Sequence, residues 1–240
     1  DRLREQLSEQ LNVRRVGWLE KPGDHAEYLG RDIRRVPGGF EVGVNQKLIE
    51  MVVRDLGLER CRYTPTPCVR YTDKQHEDSP YVAAEGVTPF RAALGKLMHL
   101  ALDRWDLQFA CKDIARGNCR PQEIHLWKLH RAVRFLWHHR SWKLRLVAKP
   151  GPVQVEAYAD SDWGGEVKTR RSTSGGTVSL WGCGLHTWSR TQACVALSSA
   201  EAEYYSIALA VVEGRRLQQL VEEACRAVEG DPLPLLVHSD

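Results

Sequence analysis

No apolar run in the 240-residue chain approaches the ~20 residues that a membrane-crossing helix needs, so a helical membrane protein is excluded. There is no CxxC pair among the seven cysteines, at positions 61, 68, 111, 119, 183, 194 and 225. An odd, scattered set lacks the spacing of a disulfide framework and fits free thiols in a reducing compartment. Cys111, Cys119 and His125 sit close together in sequence, but a fourth zinc ligand is missing. Charge of one sign is lacking too: 34 Lys and Arg against 31 Asp and Glu leave a net +3. Total charge therefore does not mark a nucleic-acid binder, whereas the local clusters at 112–145 and 168–171 do point that way. The opening DRLREQLSEQL carries no signal-peptide pattern and no initiating Met, and reads as part of something longer. What is present, 42% hydrophobic and 27% charged residues, fits one large globular domain or two modest ones.

Leu3, Leu7 and Leu11 form an apolar stripe on a short helix. AEYLGRDIRRV and GFEVGV flank Pro37-Gly38-Gly39 as the arms of a hairpin. Asn45 is placed to cap a helix whose face is Leu48, Ile49, Val52, Val53 and Leu56 and whose end is Gly57. Residues 61–87, with Pro65, Pro67 and Pro80, read as a connector. Thr88 as cap and Pro89 at the first position predict a helix with Phe90, Leu94, Leu97, Met98 and Ala101 on one side. Pro121 opens another, its stripe Leu126, Leu129, Val133, Leu136 and Trp137 leaving Lys128, Arg131 and Arg134 outside. A strand WKLRLVA (142–148) and the breakers Pro150-Gly151-Pro152 close the first half, giving a boundary between 1–150 and 151–240.

Past that boundary, VQVEAYAD alternates Val153, Val155, Ala157 and Ala159 against Gln154, Glu156, Tyr158 and Asp160, as a two-faced strand does. TVSLWG and LHTWSR flank Gly182-Cys183-Gly184 as a second hairpin, and ACVAL offers a further paired strand. A helix from Ser199 to about Val228, with Gly214 as a point of interruption, precedes a last strand in PLLVHSD.

Acids recur at the ends of these elements. Three carboxylates gathered at one sheet edge suit hard divalent cations, and two such ions can clamp a phosphodiester. Asp160 ends the first strand, and Asp240 closes the last. Each alone is read most simply as a loop residue. Ser198-Ser199-Ala200-Glu201 fits a capping box, which gives Glu201 a structural task. Glu203 has none: it shares a helix face with Ile207 and Ala210, where an acid is costly unless something positive compensates it. His186 and His238 read as structural or exposed, Trp163 and Trp188 as packing residues.

YADSDWGG (158–165), KTRRSTSGG (168–176), HTWSRTQACVALSSAEAEYYS (186–206) and LLVHSD (235–240) resemble the ribonuclease H domain of copia-type long-terminal-repeat retrotransposon polyproteins. More loosely, EYLGRDI, the Gln46 helix, TPTP, FRAALGKLMHLALDRWD and RAVRFLWHH resemble, in order, the C-terminal part of the preceding reverse transcriptase. Where that pattern has a proline before the aspartate, this chain has Trp105 before Asp106, so that loop is expected to pack differently.

The resemblance implies an α+β chain: a mainly helical reverse-transcriptase tail, then an incomplete ribonuclease H-like domain in the order β-β-β-α-β. It implies Asp160, Glu203 and Asp240 as catalytic metal ligands for Mg²⁺, with Mn²⁺ as substitute, and a fourth acid further downstream. The substrate implied is an RNA/DNA hybrid whose RNA strand is cut, the RNA being told from DNA by its 2′-OH groups. Lys168, Arg170 and Arg171 are expected to meet phosphates, with Ser172 and Thr173 as neutral donors. The rest of the polyprotein is the implied partner and an intracellular particle, cytoplasmic with access to the nucleus, the implied setting. The rivals are a non-catalytic domesticated fragment that binds nucleic acid, a structural connector, and another nuclease or transposase of the same superfamily.

Overall fold

Pro37-Gly38 turns the chain where the sequence places a hairpin, between β2 (Arg31–Val36) and β3 (Gly39–Gly43). The computed structural model describes residues 8, 9, 12, 16–166, 168–224 and 233–239. The Leu3–Leu7–Leu11 stripe, Asp240 and the helix end expected near Val228 lie outside them. Within them the chain is α+β: six helices and two four-stranded sheets.

AEYLGRDIRRV is two strands rather than one. Leu29 and Gly30 take φ of 51° and 77° and turn the chain back, so β1 (His25–Tyr28) pairs antiparallel with β2. Gly30 also lies against the Asn45 side chain, where a Cβ would come within 2.1 Å of the amide nitrogen. β4 (Lys143–Val147), the strand expected at 142–148, pairs antiparallel with β3 and completes the order β1-β2-β3-β4.

α1 (Gln46–Asp55) starts as expected: Asn45 Oδ1 accepts from the Leu48 N–H at 3.0 Å, satisfying one of the helix's orphan donors. α2 (Asp73–Glu77), capped by Thr72 with Gln75 in a capping box, lies within the 61–87 connector. α3 (Ala84–Leu100) begins four residues before Thr88, so Pro89 sits inside the helix and Thr88 caps nothing. One missing N–H there removes a single backbone bond, a loss the packed face offsets. A 3₁₀ turn (Trp105–Leu107) leads into α4 (Gln108–Ala115), and α5 (Glu123–His138) follows. Their core joins Ile49, Val52 and Val53 to Phe90, Leu94, Leu97, Ile114, Leu129, Val133 and Leu136, all buried. Each fully buried side chain of this size contributes about 1.5–3 kcal/mol.

Two expectations of face fail. Met98 is 48% exposed, and Ala93 and Leu100 are buried instead. Lys128 lies 7% exposed because its ammonium meets Asp113 at 2.7 Å, so a cation stands on a packed face.

The second sheet comprises β5 (Val155–Ser161), β6 (Thr173–Leu180), β7 (Cys183–Thr191) and β8 (Leu235–His238), in the order β7-β6-β5-β8. β8 runs parallel to β5 and the other pairs are antiparallel; with α6 (Ser199–Ala224) before β8, the order is β-β-β-α-β. Val155, Ala157 and Ala159 point into the core, as their alternation requires, while Tyr158 and Asp160 are exposed. The hairpin turns at Trp181-Gly182, both with positive φ, rather than across Gly182-Cys183-Gly184. ACVAL forms no strand, and its Val195 and Leu197 are exposed. α6 runs unbroken through Gly214. Ala202, Ser206, Ala210 and Gly214, four apart and all buried, make a narrow stripe that brings the helix backbone close to the sheet. A Cβ at Gly214 would meet Leu235 Cδ1 at 2.6 Å.

Several contacts join the two halves. The Lys149 N–H donates to Trp181 O at 2.8 Å, Gln108 Nε2 to Thr187 O at 3.3 Å, and Arg116 faces Glu166 at 3.5 Å. Lys112 Nζ bonds Thr173 Oγ1, and burial, followed by the nearby Arg116 charge, brings the Lys112 pKa down to about 8. Trp105 packs beside Gly184 on β7. No described helix is long and apolar enough to cross a membrane.

Candidate functional site

Asp160 is the penultimate residue of β5, opposite Gly175 on β6, and is exposed. No hydrogen bond or ion pair engages its carboxylate among the described residues. The next residue, Ser161, does the joining. Its N–H and its hydroxyl both donate to Glu203 Oε1, at 3.2 and 2.9 Å. One helical turn further on, Ser206 Oγ donates to Asp160 O at 2.7 Å and lies 3.4 Å from Gly175 O. The start of α6 is thus fastened to the end of β5 through the Ser161 side chain and the Asp160 carbonyl.

Glu203 Oε2 is buried without a hydrogen-bond partner. A buried carboxylate oxygen left unmatched costs about 1–3 kcal/mol. Oxygen donors of this type are what hard divalent cations prefer, and such an ion would satisfy this atom. Asp160 and Glu203 therefore fit a Mg²⁺ site in donor chemistry. Among the described residues no group of three or more His, Cys, Asp or Glu gathers as metal ligands; the third expected acid, Asp240, lies outside them.

Glu201, two residues before Glu203, has the structural task its sequence position indicates. Ser198 Oγ accepts from the Glu201 N–H at 3.1 Å. Glu201 Oε2 accepts from the Leu197 N–H at 2.7 Å, one residue earlier than a capping box requires, and Tyr205 OH donates to Oε1 at 3.2 Å. Both of its oxygens are occupied.

The loop between β5 and β6 presents Lys168, Arg170 and Arg171, all exposed and none in an ion pair among the described residues. Backbone bonds Arg170 N–H to Glu166 O (2.7 Å) and Glu166 N–H to Arg171 O (3.1 Å) shape the loop. Ser172 and Thr173 are buried rather than displayed. Ser172 Oγ accepts from the Gly164 N–H at 3.0 Å, and Thr173 already belongs to β6. Asp162, itself exposed, accepts from the Thr173 N–H at 2.5 Å.

The other singled-out residues have structural settings. Trp188 is buried over Gly176, where a Cβ would lie 2.1 Å from its ring. Trp163, 55% exposed, donates from Nε1 to Ala196 O at 3.2 Å. His238 stacks on Tyr158 at 4.5 Å, and His186 lies 3.8 Å from the buried Glu213, which Arg190 holds at 2.8 Å. Cys111 is buried with its thiol pushed up to about 12 by burial, first, and by Asp106. Ser161 and Ser206 escape sequence reasoning. Both are small hydroxyl residues whose partners lie over 30 residues away, and no local pattern marks them.

No protein-family model matches the chain. It is 29% identical over 195 residues to an uncharacterized mitochondrial protein of Arabidopsis thaliana, covering 78% of this chain and 75% of that protein. It is 29% identical over 190 residues to the retrovirus-related Pol polyprotein from transposon RE1 of the same plant, covering 77% of this chain but 13% of the polyprotein. Pol polyproteins from two other plant transposons match similarly. A shorter match, 35% identical over 127 residues, covers 52% of this chain and 88% of secreted RxLR effector protein 161 of Plasmopara viticola.

Proposed function

We propose that this chain, which is similar over most of its length to retrovirus-related Pol polyproteins of transposons, joins the C-terminal part of a reverse transcriptase to part of a ribonuclease H domain. The complete domain hydrolyses the RNA strand of RNA/DNA hybrids. The observation that supports this most directly is the junction at Ser161, which holds Glu203 against the end of β5 with one buried carboxylate oxygen unmatched.

Asp160 and Glu203 would serve as oxygen donors for Mg²⁺, or Mn²⁺ in its place, with Asp240 as the third donor. When bound, the metal supplies Lewis acidity for generating the attacking water and for stabilising the leaving oxygen. Ser161 acts through Glu203, fixing one carboxylate oxygen and leaving the other without a partner, so that it would be available to a metal. Lys168, Arg170 and Arg171 neutralise phosphates of the hybrid. Ser172 and Thr173 brace that loop from beneath.

The test is a duplex of labelled RNA and DNA, incubated with the 240-residue chain and with a longer segment of the parent polyprotein, each with and without chelator. The longer segment is expected to cut the RNA strand only with Mg²⁺ or Mn²⁺, and Asp160→Asn to abolish cutting. The shorter chain, with three of the family's four acids, is expected to cut poorly. Silence from the longer segment would refute hydrolysis and favour non-catalytic binding.

A further inference from the structure

Four of the chain's 11 prolines follow a serine or threonine: Thr64-Pro65, Thr66-Pro67, Ser79-Pro80 and Thr88-Pro89. Such a pair is the acceptor that proline-directed protein kinases read. The residue before a proline is biased toward extended backbone, the form in which a kinase takes its substrate. The structure separates the four. Thr64 is only 4% exposed. Ser79 is 8% exposed, and its hydroxyl accepts from the Ile124 N–H at 2.9 Å in the first turn of α5. Thr88 is exposed but lies inside α3, on helical backbone that a kinase cannot extend without unwinding it. Thr66 alone of the four is exposed on backbone that is neither helix nor strand.

Thr66 also faces a partner for the group it would gain. Its Oγ1 accepts from Arg131 Nη2 at 2.9 Å and donates to Cys68 O at 3.0 Å, both at the surface. Arg131 Nε, on the same edge of the guanidinium as Nη2, is buried without a hydrogen-bond partner. Arg131 enters no ion pair among the described residues. A threonine hydroxyl offers that edge a single oxygen. A phosphate ester on the same atom adds three more acceptors, and arginine takes phosphate through two parallel N–H···O bonds, here from Nη2 and Nε. The acid that acts on this segment, Asp113, raises the Cys68 pKa, but Lys128 holds it at 2.7 Å and Arg116 at 3.2 Å. Its charge is therefore largely cancelled before a phosphate arrives.

We propose that Thr66 is a phosphorylation site for a proline-directed kinase, and that its phosphate ties the 61–87 connector to α5 through Arg131. The γ-phosphoryl group of ATP passes to Thr66 Oγ1. A P–O bond forms there, the bond to the departing ADP oxygen breaks, and the hydroxyl proton goes to the kinase's base. The hydrogen bond to Cys68 O is lost, and a charge-assisted pair with Arg131 replaces it. The site uses neither Asp160 nor Glu203 and needs no metal in this chain.

The whole chain is incubated with ATP and a purified kinase of the cyclin-dependent or mitogen-activated class, and the modified positions are mapped by mass spectrometry. Phosphate is expected on Thr66, with Thr64, Ser79 and Thr88 left unmodified. Thr66→Val and Pro67→Ala are each expected to abolish uptake. Phosphorus NMR then follows the ester. An unpaired phosphothreonine gives up its second proton near pH ~6. Beside Arg131 that titration is expected at about 5 or below, and Arg131→Gln should return it to about 6. Arg131→Lys keeps the charge without the fork, so it should recover part of the shift, and it stands in if the glutamine variant perturbs folding. Phosphorylation is also expected to raise Tm in the parent and not in Arg131→Gln. No uptake at Thr66 by the folded chain, uptake at the other three positions instead, or a phosphate that titrates near ~6 with Arg131 present overturns the proposal. Cleavage of a hybrid is not read in these measurements, so neither result decides the other.

Discussion

Glu203→Gln separates what Glu203 does for folding from what it does for a metal. The substitution keeps the side-chain volume and keeps an oxygen to accept from the Ser161 N–H and hydroxyl, now at 3.2 and 2.9 Å. It replaces the unmatched, charged Oε2 with a neutral group. Since an unmatched buried polar atom costs about 1–3 kcal/mol and more when charged, the metal-free variant is expected to equal the parent or exceed it by about 1 kcal/mol. For a chain of this size that raises Tm by about 2–4 °C. Metal reverses the order. If the parent site binds Mg²⁺ with a Kd on the order of 1 mM, ~10 mM MgCl₂ adds about 1.4 kcal/mol, or roughly 3–6 °C. The variant should gain almost none of this. Glu201→Gln is the comparison, because its amide oxygen can still accept from the Leu197 N–H and Gln also serves in a capping box. Thermal melts of the three proteins across a MgCl₂ series decide the matter. A full magnesium response in Glu203→Gln, or equal loss in both variants, refutes the division of labour.

Other outcomes follow from packing and charge. Gly214→Ala is expected to destabilise by up to about 2 kcal/mol, overpacking of ~1–3 kcal/mol against Leu235 outweighing about 1 kcal/mol of helix propensity; in a Leu235→Ala background the sign should reverse, as urea melts will show. Lys128→Met leaves Asp113 with only Arg116 at 3.2 Å, and a loss near the lower end of ~3–5 kcal/mol is expected, largely recovered by adding Asp113→Leu. Burial, then the Lys128 and His76 charges, bring the His125 pKa down to about 4. A histidine depressed in the fold contributes its full stability above its ordinary value near 6.5 and loses it as pH falls toward 4. Urea midpoints should drop across that window by an amount on the order of 3 kcal/mol, and His125→Phe should flatten the dependence.

The parts legible in sequence are those specified by neighbours in the chain. Asn45 and Ser198 announce helix starts because a cap acts within three residues. The alternation of β5 and the stripe of α1 are visible because period alone sorts their faces. The same reasoning set Glu201 aside and retained Glu203. What stayed hidden depends on distant partners. Lys128 looks like a solvated residue until Asp113 arrives beside it from α4. ACVAL has strand composition, but β7 ends before it at Thr191 and no strand partner reaches it. Leu29 gives no sign of a positive φ, so one apparent strand became two. Ser172 and Thr173 sit in a polar run that reads as loop, yet β6 begins at Thr173 because its register with β7, Thr173 against Thr191, extends that far.

The parallel pairing of β8 with β5 matters for the order of assembly. Val155 meets Leu235, so that pairing closes across almost the whole second half of the chain, while β5, β6 and β7 are joined through near neighbours in sequence. Loop closure of that span is slow compared with formation of a hairpin. As the polypeptide leaves the ribosome, β6 and β7 can zip together and α6 can settle its small-residue stripe on β5 and β6 well before residue 235 is made. Ser161 and Ser206 then fasten the start of α6 to the end of β5 in a half-built sheet whose β5 edge is still open. During that interval the nascent chain carries a bare strand edge able to pair with another chain, and β8 removes it once made.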